Sequence, residues 1–356
     1  MKITYCIPSK NNLRYLKNSI QSIKENSSVE YDIIVFIDGD NDRTEQWCKE
    51  NNIIYLLNTL DKPKGIAYAY NKCIKAANTD IVCMFHADMY MGKGFDVNCL
   101  KHLKEKIVVS GTRIEPPLHP SGLEKIVRNF GMYPEDFTKD LFNEFVEVIK
   151  KQQKDQVTYG IFAPWMCFRS ELLEIGMHDE LFHSYHEDSD IFNRMILNGM
   201  KCIQSRDSLV YHLTCRGGQF QDGIEKITQD IDFHKMKDTA RKLYIKKWGS
   251  WIKNNEYQYP ILTPVYKKCA IIQDYKPSPV DDWFSEINPQ DPSSFDVVVE
   301  LNTNTFTEEE YHVVINLNQI VQETNEIGKF QVGNLTITIN SLADRSKELI
   351  FIDNND

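Results

Sequence analysis

Acidic and imidazole side chains recur in this sequence where short apolar runs stop. The run Ile81-Val82-Cys83-Met84-Phe85 gives way to His86-Ala87-Asp88, and Ile33-Ile34-Val35-Phe36-Ile37 to Asp38-Gly39-Asp40-Asn41-Asp42. Ser208-Leu209-Val210-Tyr211 ends in His212, and His186-Glu187-Asp188-Ser189-Asp190 opens an apolar helical pattern. Carboxylate and imidazole are what a divalent cation of the Mg²⁺ or Mn²⁺ type accepts; Mg²⁺ prefers carboxylate and water, and Mn²⁺ also takes imidazole. A cation bridging two phosphates stabilises negative charge on a leaving diphosphate as a Lewis acid. A positioned carboxylate can also act as general base toward a hydroxyl, contributing about 10²–10⁴-fold. Glu187 and Asp188 are adjacent at a helix start, so they point in different directions; one can face a cleft while the other caps the helix. Each residue also has a plain structural reading: Asp88 as a turn former, His212 as a half-buried strand histidine, Asp38 as an Asp-Gly turn. Asp190, four residues before Arg194, reads as a helix ion pair.

Elements must place these groups together. Ile3 to Ile7 reads as a first strand closed by Pro8, and Leu13, Leu16, Ile20 and Ile23 recur at helical spacing. Residues 33–37 form a second strand, Asp42 with Glu45 predicts a capped helix, and Ile53 to Leu57 forms a third strand. Pro63-Lys64-Gly65 then precedes Ile66-Ala67-Tyr68-Ala69-Tyr70-Asn71, a small-residue helix able to pack closely on a sheet. The run ending at Phe85 is apolar throughout, as a strand buried on both faces requires. This alternation predicts right-handed βαβ units and an α/β fold with a mostly parallel sheet flanked by helices. In such sheets ligands gather beyond the carboxyl ends of the strands. Gly-x-Gly-x-x-Gly is absent after the first strand and Gly-x-x-x-x-Gly-Lys-Ser/Thr is absent throughout, which disfavours a dinucleotide fold and a P-loop.

Further along, residues 121–153 read as a helical, charge-mixed insertion over the active face. Residues 157–169 read as a strand with an aromatic break, in which Trp165 can stack on a sugar or belong to the core. Residues 229–248 are helical. Prolines at 277, 279, 289 and 292 suggest a linker over 256–293. Beyond it, Phe295 to Leu301, His312 to Leu317, Phe330 to Ile339 and Leu349 to Ile352 predict a small antiparallel β module over 294–356, an oligomerisation or targeting piece.

The net charge of −10 argues against a nucleic-acid partner bound through phosphates. No window approaches about 18 consecutive apolar residues, so no transmembrane helix is expected. The amino terminus begins a strand at once, leaving no room for a signal peptide. Nine cysteines without Cys-x-x-Cys spacing suggest reduced thiols and a cytoplasmic setting.

Taken together, the loops resemble the family 2 glycosyltransferases of the GT-A fold, over residues 1 to about 250. Ile7-Pro8-Ser9-Lys10-Asn11 resembles the family's first strand and turn. Asp38-Gly39-Asp40-Asn41-Asp42 resembles its Asp-Gly-Ser-x-Asp loop, and Gly65-x-Ala67-x-Ala69-x-Asn71 matches its Gly-x-Ala-x-Ala-x-Asn helix start. His86-Ala87-Asp88 stands in the place of Asp-x-Asp, Glu187-Asp188-x-Asp190 in that of the acidic helix start, and Tyr211-His212 matches a histidine supporting metal or diphosphate. The resemblance implies a nucleotide-binding half (1–110) and an acceptor half (111–255). It implies a nucleotide-sugar site from Pro8, Asp38, Lys64, Gly65, Asn71, His86 and Ala87, and a Mn²⁺ or Mg²⁺ held by Asp88 and His212. Asp188 is then the general base, with Glu187 orienting the acceptor and Trp165 lining its site. His86 departs from the pattern; a neutral imidazole makes a hydrogen bond but adds no negative charge. The implied reaction moves one sugar from a UDP- or GDP-sugar, with inversion, to a hydroxyl of a glycan, lipid-linked or protein acceptor. The rivals are a nucleotidyltransferase, for which Ser9-Lys10-Asn11-Asn12 is a poor basic loop, and a non-catalytic nucleotide- or carbohydrate-binding protein.

Overall fold

The computed structural model describes residues 1–214, 231–248, 251–262, 268–273, 281–302 and 306–343. The chain forms two compact units: Met1–His234 with Asn254–Pro260, and Lys235–Lys253 with Ile261–Asp356.

The first unit opens with β1 (Lys2–Ser9), α1 (Leu13–Asn26), β2 (Glu30–Ile37), α2 (Thr44–Glu50), β3 (Ile54–Leu57), α3 (Ile66–Ala76) and β4 (Ile81–Met84). It continues through β5 (Met89–Met91), α4 (Phe95–Leu100), β6 (Ile107–Glu115), β7 (Lys125–Val127), α5 (Lys139–Gln152), β8 (Val157–Tyr159) and β9 (Trp165–Phe168). It then runs through α6 (Arg169–Glu174), α7 (Glu187–Leu197) and β10 (Lys201–His212), and α8 (Ile231–Trp248) begins in it.

Ten strands make one sheet, ordered β3-β2-β1-β4-β9-β6-β10-β5, with β7 on β6 and β8 on β10. β1, β2, β3 and β4 pair in parallel, as the apolar runs predict. The second half is mixed. β9 lies antiparallel to both β4 and β6, while β10 is parallel to β6 and antiparallel to β5 and β8. The short turn at residues 85–88 cannot hold the crossover helix a parallel return needs. β4 and β6 therefore run the same way, and so do β1, β2, β3, β7 and β10. Every strand that ends in a candidate site residue points its carboxyl end at the same sheet edge.

The core follows the patterning. Leu16, Ile20 and Ile23 of α1 are buried, and α3 presents Ala67, Ala69, Tyr70 and Cys73 inward. Small side chains let α3 lie close on β1 and β2. A second cluster, Phe130, Phe142, Tyr90 and Tyr211 among it, packs the insertion against β5 and β10. The Phe130 amide and the Gly131 carbonyl both bond the Tyr211 hydroxyl, at 3.0 and 2.7 Å. Within the segment 121–153 the helix is confined to α5.

One predicted cap is replaced. The Asp42 carboxylate does not cap α2; it accepts from the Leu13 amide at the start of α1 (2.7 Å), and Asp40 accepts from Glu45 N (3.1 Å). The acidic loop thus stitches two helix starts together.

The second unit holds β11 (Cys269–Ile272), β12 (Glu286–Ile287), β13 (Val297–Leu301), α9 (Glu308–Ile315), α10 (Leu317–Thr324), β14 (Gly328–Val332) and β15 (Leu335–Ile339). Its sheet runs β12-β11-β13-β15-β14 and opens at Cys269, inside the stretch expected as a linker. β11 pairs in parallel with β12 and β13, so the module is mixed, not antiparallel throughout. The expected strand at His312 to Leu317 is mostly helix. Thr307 and Glu310 form a reciprocal capping box, with bonds of 3.1 and 2.8 Å, which nucleates α9 against the β propensity of its valines. Leu349 to Ile352 lies outside the described residues. Among the described residues, no helix is long and apolar enough to cross a membrane.

Candidate functional site

His86 and Asp88 follow β4, and His212 ends β10. Strand β5, which follows Asp88 directly, lies antiparallel on β10 with Met89 opposite His212. The Leu213 amide donates to the Asp88 carbonyl at 2.9 Å, fixing the two chain segments beside each other. As a result His86, Asp88 and His212 each bring a ligand-type atom within 4.8 Å of the others. Asp88 Oδ1 lies 3.4 Å from His212 Nε2, and the two imidazole rings are 5.7 Å apart at an angle of 59°. Asp88 and His212 are buried and His86 is half-buried. The geometry groups His86 with the metal-type ligands, whereas the sequence reading gave it to the nucleotide sugar.

Sequence reasoning missed Glu115. It ends β6 beside β10 and meets His212 Nδ1 at 2.8 Å. Its other oxygen takes Lys125 Nζ at 3.0 Å, and Arg113 adds a contact of 2.8 Å. These groups are all buried. The available signal was Arg-x-Glu closing a strand that opens on Ile107-Val108-Val109, since charges that deep are kept only when paired. Glu115 also lies just beyond residue 110, where the sequence places the end of the nucleotide half.

The cluster's electrostatics follow from burial and pairing. Burial alone would push the His212 imidazole down, but the Asp88 and Glu115 carboxylates outweigh it and raise it to about 9. Burial pushes His86 down to about 4 against the opposing pull of Asp88, so this ring is neutral near pH 7. Burial would raise Glu115, yet Arg113, His212 and Lys125 hold it well below the usual carboxylate range. A cation on His212 Nε2 would take the place of the proton there, as metal binding to imidazole requires. One carboxylate and two imidazoles, one of them oriented from behind by Glu115, fit a divalent ion that tolerates nitrogen, Mn²⁺ better than Mg²⁺.

Around the neighbouring strand ends the expected nucleotide residues form a scaffold. Asp38 accepts from Lys64 N (2.9 Å), Gly65 N (2.8 Å) and Asn58 Nδ2 (2.8 Å), so its carboxylate is engaged by the turn before α3. Gly65 has φ +87°, and a Cβ there would sit 1.9 Å from the His183 carbonyl oxygen. The next amide, Ile66 N, donates to that same oxygen at 2.7 Å. Asn71 is buried and clasps residue 178 on both sides, giving to its carbonyl (2.8 Å) and accepting from its amide (2.9 Å). Pro8 is half-buried in β1 opposite Phe36, and Ala87 is buried between His86 and Asp88.

Residues 178–183 thus hang from α3 and deliver α7. Tyr185 and His186 both take left-handed backbone (φ 71° and 67°) and set Glu187 and Asp188 in the first helical turn. α7 leads directly into β10, and the chain just before it, at His183, is bonded by Ile66 N at the start of α3. Asp188 Oδ1 accepts from Ser189 N at 2.6 Å. One Glu187 oxygen is buried without a hydrogen-bond partner among the described residues, and burial followed by the neighbouring Asp188 charge pushes this carboxyl up to about 8. Asp190 pairs with Arg194 at 2.9 Å, as the spacing predicts. Trp165 corrects an expectation. It is 2% exposed, with rings on His178 (6.1 Å) and Phe192 (5.9 Å), and so is a core residue without an open face for a sugar.

The glycosyl transferase family 2 model matches residues 4–175, the stretch that holds Asp38, Gly65, Asn71, His86, Asp88 and Glu115. That stretch, a little under half of the chain, is similar to glycosyl transferase family 2. The chain is similar to an uncharacterized glycosyltransferase, YfnE, of Bacillus subtilis (strain 168), 24% identical over 259 residues. That match covers 60% of this chain and 64% of the relative. Among solved structures, S. aureus TarS 1-349 is similar at a TM-score of 0.44 and 15% identity, covering 68% of this chain and 70% of that one. The same protein in complex with UDP-GlcNAc gives 0.46 and 16%, covering 69% and 66%. These structural likenesses are too distant to bear on chemistry.

Proposed function

We propose that this protein is a family 2 glycosyltransferase, metal-dependent and inverting, that moves one sugar from a nucleoside diphosphate sugar to an acceptor hydroxyl. The observation that carries the reading is the meeting of His86, Asp88 and His212 within 4.8 Å, the first two inside the stretch that the family 2 model matches. A divalent ion bound there would supply Lewis-acid stabilisation to the departing diphosphate. Asp88 and His212 would hold it, with His86 beside them. Asp38, with Pro8, Lys64, Gly65 and Asn71, is read as the wall of the nucleotide pocket, and its bonds to the Lys64–Gly65 turn support a positioning role.

Asp188 is read as the base that takes the acceptor proton. The raised carboxyl of Glu187 supports this division of labour. With its proton retained near pH 7, Glu187 can donate a hydrogen bond to the acceptor and leaves Asp188 as the sole negative charge of the pair. Displacement on the face opposite the leaving diphosphate, assisted by one base, inverts the anomeric centre.

Incubating the protein with a panel of UDP-, GDP- and CDP-sugars, with Mn²⁺ or Mg²⁺ and without either, tests the reading through release of nucleoside diphosphate. Metal-dependent release that disappears in Asp88→Ala is expected; release indifferent to metal and to that substitution contradicts it. A second reading, a nucleotide binder without turnover, is favoured by the neutral His86 where a carboxylate would add charge. Nucleoside diphosphate binding by calorimetry, with no release from any sugar nucleotide tested, would select it.

A further inference from the structure

We infer that Glu115 is a positioning residue for the cation site, holding His212 in the tautomer and orientation that present Nε2 toward Asp88 and His86. The inference rests on the metal reading above and extends it to a residue outside the ligand set.

Three observations carry it. First, the bond is aimed. Glu115 lies 2.8 Å from His212 Nδ1, and Nε2, on the far side of the ring, faces Asp88 at 3.4 Å. An imidazole whose Nδ1 hydrogen is taken by a carboxylate has its Nε2 lone pair left for a metal, and such outer partners raise ligand basicity.

Second, Glu115 is itself immobilised. Arg113 and Lys125 hold its two oxygens at 2.8 and 3.0 Å, and Arg113 in turn lies 3.6 Å from the centre of the Phe162 ring. A carboxylate clasped by two cationic side chains has its geometry fixed, so it offers His212 one orientation.

Third, the sheet imposes the encounter. β6 and β10 are parallel, and beyond a register shift after Gln204 they pair Thr112 with Leu209, Arg113 with Val210 and Ile114 with Tyr211, which brings the next residues, Glu115 and His212, side by side at the strand ends. The arrangement costs burial of several charges, which pairing alone explains poorly, since apolar residues would fill the space at least as stably. A requirement on His212 explains it.

The test is a double-mutant cycle read by Mn²⁺ affinity of the full chain, measured by electron paramagnetic resonance of the free ion. Glu115→Gln should weaken Mn²⁺ binding about 10–100-fold. In a His212→Ala background the same substitution should change affinity little, because the residue through which Glu115 acts is gone. Thermal melting checks that the variants fold. Should Glu115→Gln fail to fold, Glu115→Asp keeps the charge for Arg113 and Lys125 while withdrawing it from Nδ1, and should weaken Mn²⁺ in the same direction. Unchanged Mn²⁺ affinity in Glu115→Gln overturns the inference while the metal reading stands. An equal loss with and without His212 also overturns it, by showing a general electrostatic effect. A wild-type protein that binds no Mn²⁺ overturns the metal reading and this inference with it.

Discussion

Asp88 Oδ1 and His212 Nε2 stand 3.4 Å apart because β5, the strand that leaves Asp88, is hydrogen-bonded to β10, the strand that ends in His212. Two residues far apart in sequence become neighbours through one antiparallel register. The site is therefore as rigid as the sheet edge that carries it, and the loops around it are pinned by Gly65, Asn71 and Tyr211.

The raised carboxyl of Glu187 makes stability depend on pH. Its folded-state value, about 8, lies above the ordinary 4.5, so the folded chain holds a proton that the unfolded chain releases. The contribution is full below pH ~4.5 and is lost as pH rises toward ~8. Glu187→Gln should melt about as the parent near pH 5 and be more stable near pH 8.5, by ~1–2 kcal/mol after allowing for its partial exposure. Parallel melting curves for the two proteins across that range would contradict the assignment.

Gly65 is held to glycine by its left-handed backbone and by the His183 carbonyl in the space a Cβ would need. Gly65→Ala should cost ~2 kcal/mol or more in chemical denaturation and loosen the turn that Asp38 binds. A variant as stable as the parent would show that residues 178–183 can move aside freely.

Asp190 and Arg194 are a buried pair, 0% and 3% exposed in their side chains, and Arg194 also bonds the Ile175 carbonyl at 2.8 Å. Asp190→Ala should cost ~3–5 kcal/mol, because it strands a buried guanidinium. A loss below ~1 kcal/mol, the scale of an exposed pair, would mean that the pair is solvated.

Trp165→Phe tests the corrected role of the tryptophan. A core residue predicts a stability loss of ~1–3 kcal/mol and an unchanged KM for acceptor. A raised acceptor KM with unchanged melting would restore the sugar-stacking role.

Much of the site was legible because apolar runs ended in polar residues at strand ends, and parallel strands put those ends on one edge. Asp38, His86, Asp88 and His212 stand at such ends, whereas Glu187 is read from an acidic helix start. The ion pair of Asp190 with Arg194 was legible from helical spacing alone. Glu115 was not, because its partner lies 97 residues away and only the β6–β10 pairing joins them. Trp165 shows the converse limit. An aromatic residue has the same local signature in a core and in a sugar site, and only the covering by His178 and Phe192 separates the two. Propensity misled at 312–317, where a capping box at Thr307 overrode a β-branched pair. The mixed second half of the sheet was hidden because strand direction there depends on connections across the insertion.

The most direct measurement is release of nucleoside diphosphate from a sugar nucleotide, titrated with Mn²⁺, in the parent and in Asp88→Ala and Asp188→Asn. The account predicts metal-dependent release in the parent. It predicts loss of the metal response in Asp88→Ala and a fall of about 10²–10⁴-fold, with Mn²⁺ affinity retained, in Asp188→Asn. Turnover that needs no divalent ion, or that survives both substitutions, would contradict it.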